Sequence, residues 1–110
     1  MLLDNGEVQR ILVVDLDVHQ GDGTAACFSD EPRLTTLSVH AASNFPLRKV
    51  QSDIDIPLED ATGDDDYLAA IGDKLPQVLD AQQPDLVLFN AGVDPHRDDR
   101  LGRLLSLIHI

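Results

Sequence analysis

A single cysteine, Cys27, is all that the chain offers for sulfur chemistry, so it can form neither an internal disulfide nor a Cys-based zinc cluster. Set among Ala25, Ala26 and Phe28, that thiol is expected to be buried and inert. Basic residues are also scarce: 8 Lys and Arg stand against 20 Asp and Glu, for a net charge of −12. The deficit argues against a nucleic-acid surface, which needs clustered cations, and against binding to an anionic membrane face. Arg48-Lys49 is too short to count as a basic patch, and the surplus acid reads as solubility. No apolar run approaches the roughly 20 residues of a membrane span, and no basic-then-apolar signal opens the chain, so a cytoplasmic location is expected. Internal repeats and low-complexity linkers are absent too.

What is present is enough apolar material for a packed core, 43% of 110 residues. Strands are expected at Ile11–Val14, at Leu34–Val39, and over 51–58, where period-two alternation around Ile54 and Ile56 suggests an edge strand ending at Pro57. Residues 24–29 have room for a short helix. The stretch from Ala61 to Asp85 reads as a longer one, with acids in its first turn and apolar positions at Leu68, Ile71, Leu75, Val78 and Leu79. Pro76 should kink or divide that helix, and Tyr67, in its acidic start, should lie at the surface. "DLVLFNAG" after Pro84 reads as another buried-type strand. Strands separated by helices indicate an α/β fold with a largely parallel sheet, which needs helices on both faces. Few strands are visible and the apolar end "LGRLLSLIHI" is uncapped. The chain is therefore expected to be part of a larger domain, with residues 105–110 suspected of being non-native.

The chemistry centres on "ILVVDLDVHQGDGTAA", residues 11–26. Side chains alternate along a strand, so Asp15, Asp17 and His19 project to one side. Asp94 in "NAGVDPH" follows the last strand by a few residues and belongs at the same sheet edge, where open α/β sheets bind ligands. If the two strands are neighbours, Asp17, His19 and Asp94 can converge. Two carboxylates and one imidazole suit a catalytic divalent metal with an open coordination position, and zinc, iron(II) and manganese all remain open. For an arbitrary Asp-x-Asp-x-His, acids that merely end a strand beside a solvent-facing imidazole are the commoner outcome. "GDGTAA", with Gly21, Gly23 and Ala26, formally satisfies a phosphate-binding G-x-G-x-x-G/A. Asp15, Asp17 and Asp22 would repel a pyrophosphate there, and no acidic residue ends the next strand.

"VVDLDVHQGDGTA", "TLSVH", "NFPLRKVQSDIDIPL" and "NAGVDPHRDDRLGRL" together resemble the zinc-dependent histone deacetylase family of the arginase/deacetylase superfamily, most closely its bacterial and class IV-like members. The resemblance runs from about residue 8 to residue 104. It implies a partial deacetylase-like domain with a three-layer α/β/α arginase/deacetylase-like fold. It places one zinc ion on Asp17, His19 and Asp94. It places a structural monovalent cation, usually potassium, on Asp15, Asp17, His19, Ser38 and the Val39 carbonyl. Asp15 and Asp22 match carboxylates that support the catalytic histidines, and Asp22 is asparagine in many relatives. Phe45 matches a wall of the acyl-lysine tunnel, and Gly92 a residue beside the active site. Dimanganese arginase-like relatives need carboxylates at positions 21 and 92, where this chain has glycines.

The implied activity is metal-assisted hydrolysis of acetyl-lysine amides. A His–His pair serves as general base and acid, and a tyrosine as oxyanion donor. Neither feature occurs in these 110 residues, and His40, His96 and His109 look isolated, so the chain alone is expected to be inactive. The alternatives are a deacetylase of acetylpolyamines or other small amides, or a non-catalytic binding relative. Acetylated peptides or acetylated amines are the implied partners.

Overall fold

The computed structural model describes residues 2–105. The elements run β1 (Ile11–Asp15), α1 (Asp22–Phe28), β2 (Leu34–Ala41), β3 (Ile54–Leu58), α2 (Asp64–Gln82) and β4 (Leu86–Asn90). All four strands are parallel and form one sheet in the order β3-β2-β1-β4. The architecture is α/β, as the alternation of strands and helices implied.

Alternation along β1 divides its side chains between two layers. Leu12 and Val14 join Leu37 and Val39 of β2 in a core closed by Tyr67 and Val78 of α2, with Ile71, Leu75 and Leu79 packed against it. Full burial of a side chain such as Leu12 or Leu37 is worth roughly 1.5–3 kcal/mol. On the other face Ile11, Leu34, Leu86 and Leu88 line an apolar cleft of about 340 Å³ together with Phe28 of α1. Helices thus lie on both sides of the sheet.

Several expectations change in detail. Cys27 is exposed, because the buried side of the short α1 is supplied by Ala25. Tyr67 is 3% exposed and Leu68 54%, the reverse of the expected assignment. The inward stripe of α2 runs through Tyr67, Ile71, Leu75 and Val78, and Asp65 and Asp66 just before Tyr67 are exposed without turning the ring with them. α2 is continuous over Asp64–Gln82, so Pro76 does not divide it. Both Pro76 and Gly72, whose carbonyl the ring deprives of a partner, are exposed, and water can satisfy that carbonyl. β3 is an edge strand as expected, but it starts at Ile54 and passes through Pro57. β4, expected to be buried, is the opposite edge, with Val87, Leu88 and Phe89 44–57% exposed.

Candidate metal centre

β1 lies between β2 and β4, with Asp15 level with Ser38 on one side and Asn90 on the other. Parallel pairing therefore brings the carboxyl ends of all three strands to one edge. The Leu16 amide extends the pairing by donating to the Asn90 carbonyl (2.9 Å). Beyond that point both chains leave the sheet together. The Val18 amide donates to Asp94 Oδ1 (2.9 Å), and the His19 amide donates to Asp17 Oδ1 (2.8 Å). His19 Nδ1 then sits between two carboxylates, 3.1 Å from Asp17 Oδ1 and 3.0 Å from Asp94 Oδ2. One ligand atom from each of the three residues lies within 4.8 Å of the others.

The trio is half-buried, with side-chain exposures of 34% for Asp17, 30% for His19 and 18% for Asp94. Burial pushes the Asp94 carboxyl above its ordinary value; the Val18 amide opposes the shift and the adjacent Asp17 carboxylate adds to it. A cation between the two carboxylates would relieve that repulsion. The donor set, two carboxylate oxygens and one imidazole nitrogen, fits a divalent metal with a coordination position left open. The backbone fits as well. A Cβ on Gly92 would stand 2.8 Å from Asp94 Oδ1 and 3.0 Å from Asp17 Oδ2, so glycine keeps this space clear.

Asp15 is not among the converging groups. Its carboxylate is buried and accepts the Asp17 amide (3.0 Å), which holds the turn that aims Asp17. A Cβ on Gly21 would meet Asp15 Oδ2 at 2.5 Å. Ser38, beside Asp15 in the sheet, is buried; its Oγ accepts the Gly21 amide (3.3 Å) and pairs with His40 Nδ1 (3.0 Å). His40 is therefore not isolated, and burial lowers its pKa from the usual value. The Val39 side chain is in the core, which leaves only its backbone for any ligand. Asp22 begins α1 and makes no side-chain hydrogen bond among the described residues. The Gly21 amide is engaged by Ser38 and the Asp22 amide by the Gln20 carbonyl (2.8 Å), which argues further against a phosphate-binding loop. His96 lies beside Asp98, and His109 falls outside the described residues.

A cleft of about 500 Å³ opens over His19, its walls including Phe45 and Leu101. Three residues that shape it carried no signal in the sequence. Asn44, buried, donates to the Leu101 carbonyl (2.9 Å) and accepts the Phe45 amide (2.8 Å), tying the two together. Lys49 Nζ donates to the carbonyls of Asn44 and Pro46 and braces the Phe45 loop. Buried Gln20 accepts the Val50 amide (2.9 Å) and donates to Asp55 (3.0 Å), joining the loop after His19 to the approach to β3. Only a three-dimensional contact marks any of them.

Residues 1–108 match the histone deacetylase domain. The chain is 52% identical over 99 residues to an uncharacterized protein of Picosynechococcus sp., covering 90% of this chain and 33% of that protein. It is 33% identical over 113 residues to the acetoin utilization protein AcuC of Bacillus subtilis, covering 92% and 29%. The crystal structure of an HDAC homolog complexed with SAHA is similar at a TM-score of 0.85 and 27% identity, over 94% of this chain and 32% of that one. The chain spans about a third or less of the length of these proteins.

Proposed function

The chain belongs to the histone deacetylase domain family, and from that premise we propose that it is the metal-holding part of a zinc-dependent hydrolase of acetyl-lysine amides. The observation that carries the reading is the convergence of Asp17, His19 and Asp94, with His19 lining a cleft that Phe45 also lines.

A zinc ion held there supplies Lewis acidity toward an amide carbonyl and acidifies a water molecule. Asp17 and Asp94 provide the charge that holds it, and His19 offers Nδ1 as the nitrogen ligand. Asp15 fixes the backbone that presents Asp17, and the Val18 amide fixes one oxygen of Asp94. Phe45, 68% exposed on the cleft wall, offers an apolar surface to the alkyl part of an acylated amine, while Gly92 leaves room beside the ion. Asp15, Ser38 and the backbone carbonyls of Asp17, His19 and Val39 are proposed to hold a potassium ion. A buried carboxylate, a hydroxyl and carbonyls are the hard oxygen donors that such a cation takes. Among the described residues no group is placed for proton transfer at the trio. The Tyr67 hydroxyl is buried without a partner, and His40 is paired with Ser38. A His–His pair and a tyrosine elsewhere in the full-length protein are assigned those steps, with Asp22 supporting one histidine.

The test measures zinc content and turnover of an acetyl-lysine peptide in the full-length protein. One zinc per chain is expected, with both metal and turnover lost in Asp17→Ala. Phe45→Ala should keep the metal and raise KM. Two divalent metal ions per chain, or turnover that survives loss of zinc, would overturn the reading.

A further inference from the structure

We propose that Arg100 and Arg103 make the mouth of the metal cleft selective for acyl-amine substrates that carry a carboxylate close to the acylated amine, such as acetyl-lysine flanked by Asp or Glu. The proposal rests on the hydrolase reading above and deepens it. Both arginines line the cleft that opens over His19, as Phe45 does. Three of the chain's eight basic residues, Arg97, Arg100 and Arg103, fall within seven positions of a sequence whose net charge is −12.

The two rim arginines differ in how free their charge is. Arg103 donates to Ser43 Oγ (3.1 Å) and lies 3.7 Å from Asp60, so its charge is partly answered. Arg100 is exposed and makes no hydrogen bond or ion pair among the described residues. The acids of the same loop do not neutralise it. Asp99 Oδ1 accepts the amides of Leu101 and Gly102 (2.8 Å each) and is turned into the loop. Asp98 stands 3.7 Å from Arg97 and 3.8 Å from His96. The loop itself is anchored, because Asn44 holds the Leu101 carbonyl and Gly102 packs against the backbone of Asp94. The segment that carries a metal ligand therefore also fixes where Arg100 begins.

A substrate that reaches the trio past Leu101 and Phe45 leaves its flanking groups at this rim. A guanidinium presents a planar donor fork that matches a carboxylate, and it repels the ammonium groups of a cationic acyl-amine. The net charge of the chain opposes anions at long range, so the selection must be local.

The test uses zinc-loaded full-length protein, three acetyl-lysine peptides that differ only in Asp, Ala or Lys flanks, and an acetylated polyamine. It compares kcat/KM ratios and, separately, peptide binding by fluorescence anisotropy. The Asp-flanked peptide should exceed the Ala-flanked one by roughly two- to fivefold, the size of an exposed charge pair. The Lys-flanked peptide and the polyamine should fall below both. Raising the salt to 1 M, where the screening length is about 3 Å, should flatten the series. Arg100→Glu should reverse the Asp-to-Lys order in both readouts with zinc content intact, whereas a merely structural role would lower all peptides alike. An unchanged ratio in Arg100→Glu, or a native preference for the cationic substrates, overturns the rim assignment and leaves the hydrolase reading standing. Absence of turnover on every substrate with zinc bound overturns both.

Discussion

A Cβ on Gly102 would sit 2.1 Å from the carbonyl oxygen of Asp94, a backbone atom that moves only if its loop moves. Gly102→Ala is therefore expected to cost more than about 3 kcal/mol, at the severe end for a single substitution, and to disorder the segment that presents Asp94. Gly92 is a different case: its nearest atoms are the carboxylate oxygens of Asp94 and Asp17, with the Asp17 Cα at 3.0 Å, so a Cβ there displaces the ligand carboxylates and the Asp94 bond to the Val18 amide before it displaces a loop. Gly92→Ala should melt near the wild-type temperature but bind zinc roughly 10–100-fold more weakly, the range seen when the surroundings of metal ligands are disturbed. Thermal unfolding and competition with a zinc chelator check the pair. A wild-type melt for Gly102→Ala, or wild-type zinc affinity for Gly92→Ala, would contradict this division. The resemblance marks Gly92 as notable in the sequence, because dimanganese arginase-like relatives need a carboxylate there. Nothing comparable marks Gly102, whose constraint is a contact between two parts of one loop.

Helix α2 shows what periodicity can and cannot resolve. An apolar stripe at helical spacing identified the helix, yet it could not say whether Tyr67 or Leu68 turns inward, because the two are neighbours near the edge of the stripe. Packing settles it in favour of the larger ring, which joins the core and leaves its hydroxyl buried without a partner among the described residues. Burial, with the Asp94 charge nearby, pushes the Tyr67 phenol up to about 12. The folded state then holds this proton more tightly than the unfolded state, whose phenol titrates near 10. Stability from this group is complete below pH 10 and is lost as pH rises from 10 toward 12, by about 1–3 kcal/mol. Tyr67→Phe should leave neutral-pH stability equal or higher and remove that alkaline loss, as denaturant titrations at pH 8 and pH 11 would reveal; an identical alkaline loss in the variant would refute the assignment. On the exposed side of the same helix, Pro76→Ala restores an amide to the Gly72 carbonyl without touching the core. Against a helix-interior proline cost of roughly 3 kcal/mol, less the extra freedom of the unfolded chain, a gain of about 1–3 kcal/mol is expected. A lower unfolding midpoint for Pro76→Ala would mean that the ring is held by contacts beyond the helix.

The site exists because the sheet is parallel. Asp17 and Asp94 are far apart in sequence, and only the pairing of β1 with β4 brings the ends of both strands to one edge. The sequence made this placement legible through strand polarity and the Asp-x-Asp-x-His spacing. The order of strands, and with it the exposure of β4, depended on pairings that no local pattern encodes. β4 presents Val87, Leu88 and Phe89 to solvent along an unpaired edge, the arrangement that promotes strand addition and self-association. The 110-residue chain on its own should therefore associate with increasing concentration, and Leu88→Lys with Phe89→Lys should reduce that association in sedimentation velocity. It should also lack deacetylase turnover. Zinc on the trio can polarise a carbonyl, but amide hydrolysis must also deliver a proton to a poor leaving amine. The acid of the cleft loop, Asp99, accepts the amides of Leu101 and Gly102, which hold its pKa below the ordinary value and make it a poor proton donor. General acid–base catalysis is worth about 10²–10⁴-fold, and an oxyanion donor roughly another 10²–10³-fold. The isolated chain, loaded with zinc and assayed beside the full-length protein on one acetyl-lysine peptide, should thus fall at least about four orders of magnitude below it. Comparable rates would place the proton-transfer groups within these residues and refute their assignment elsewhere in the protein.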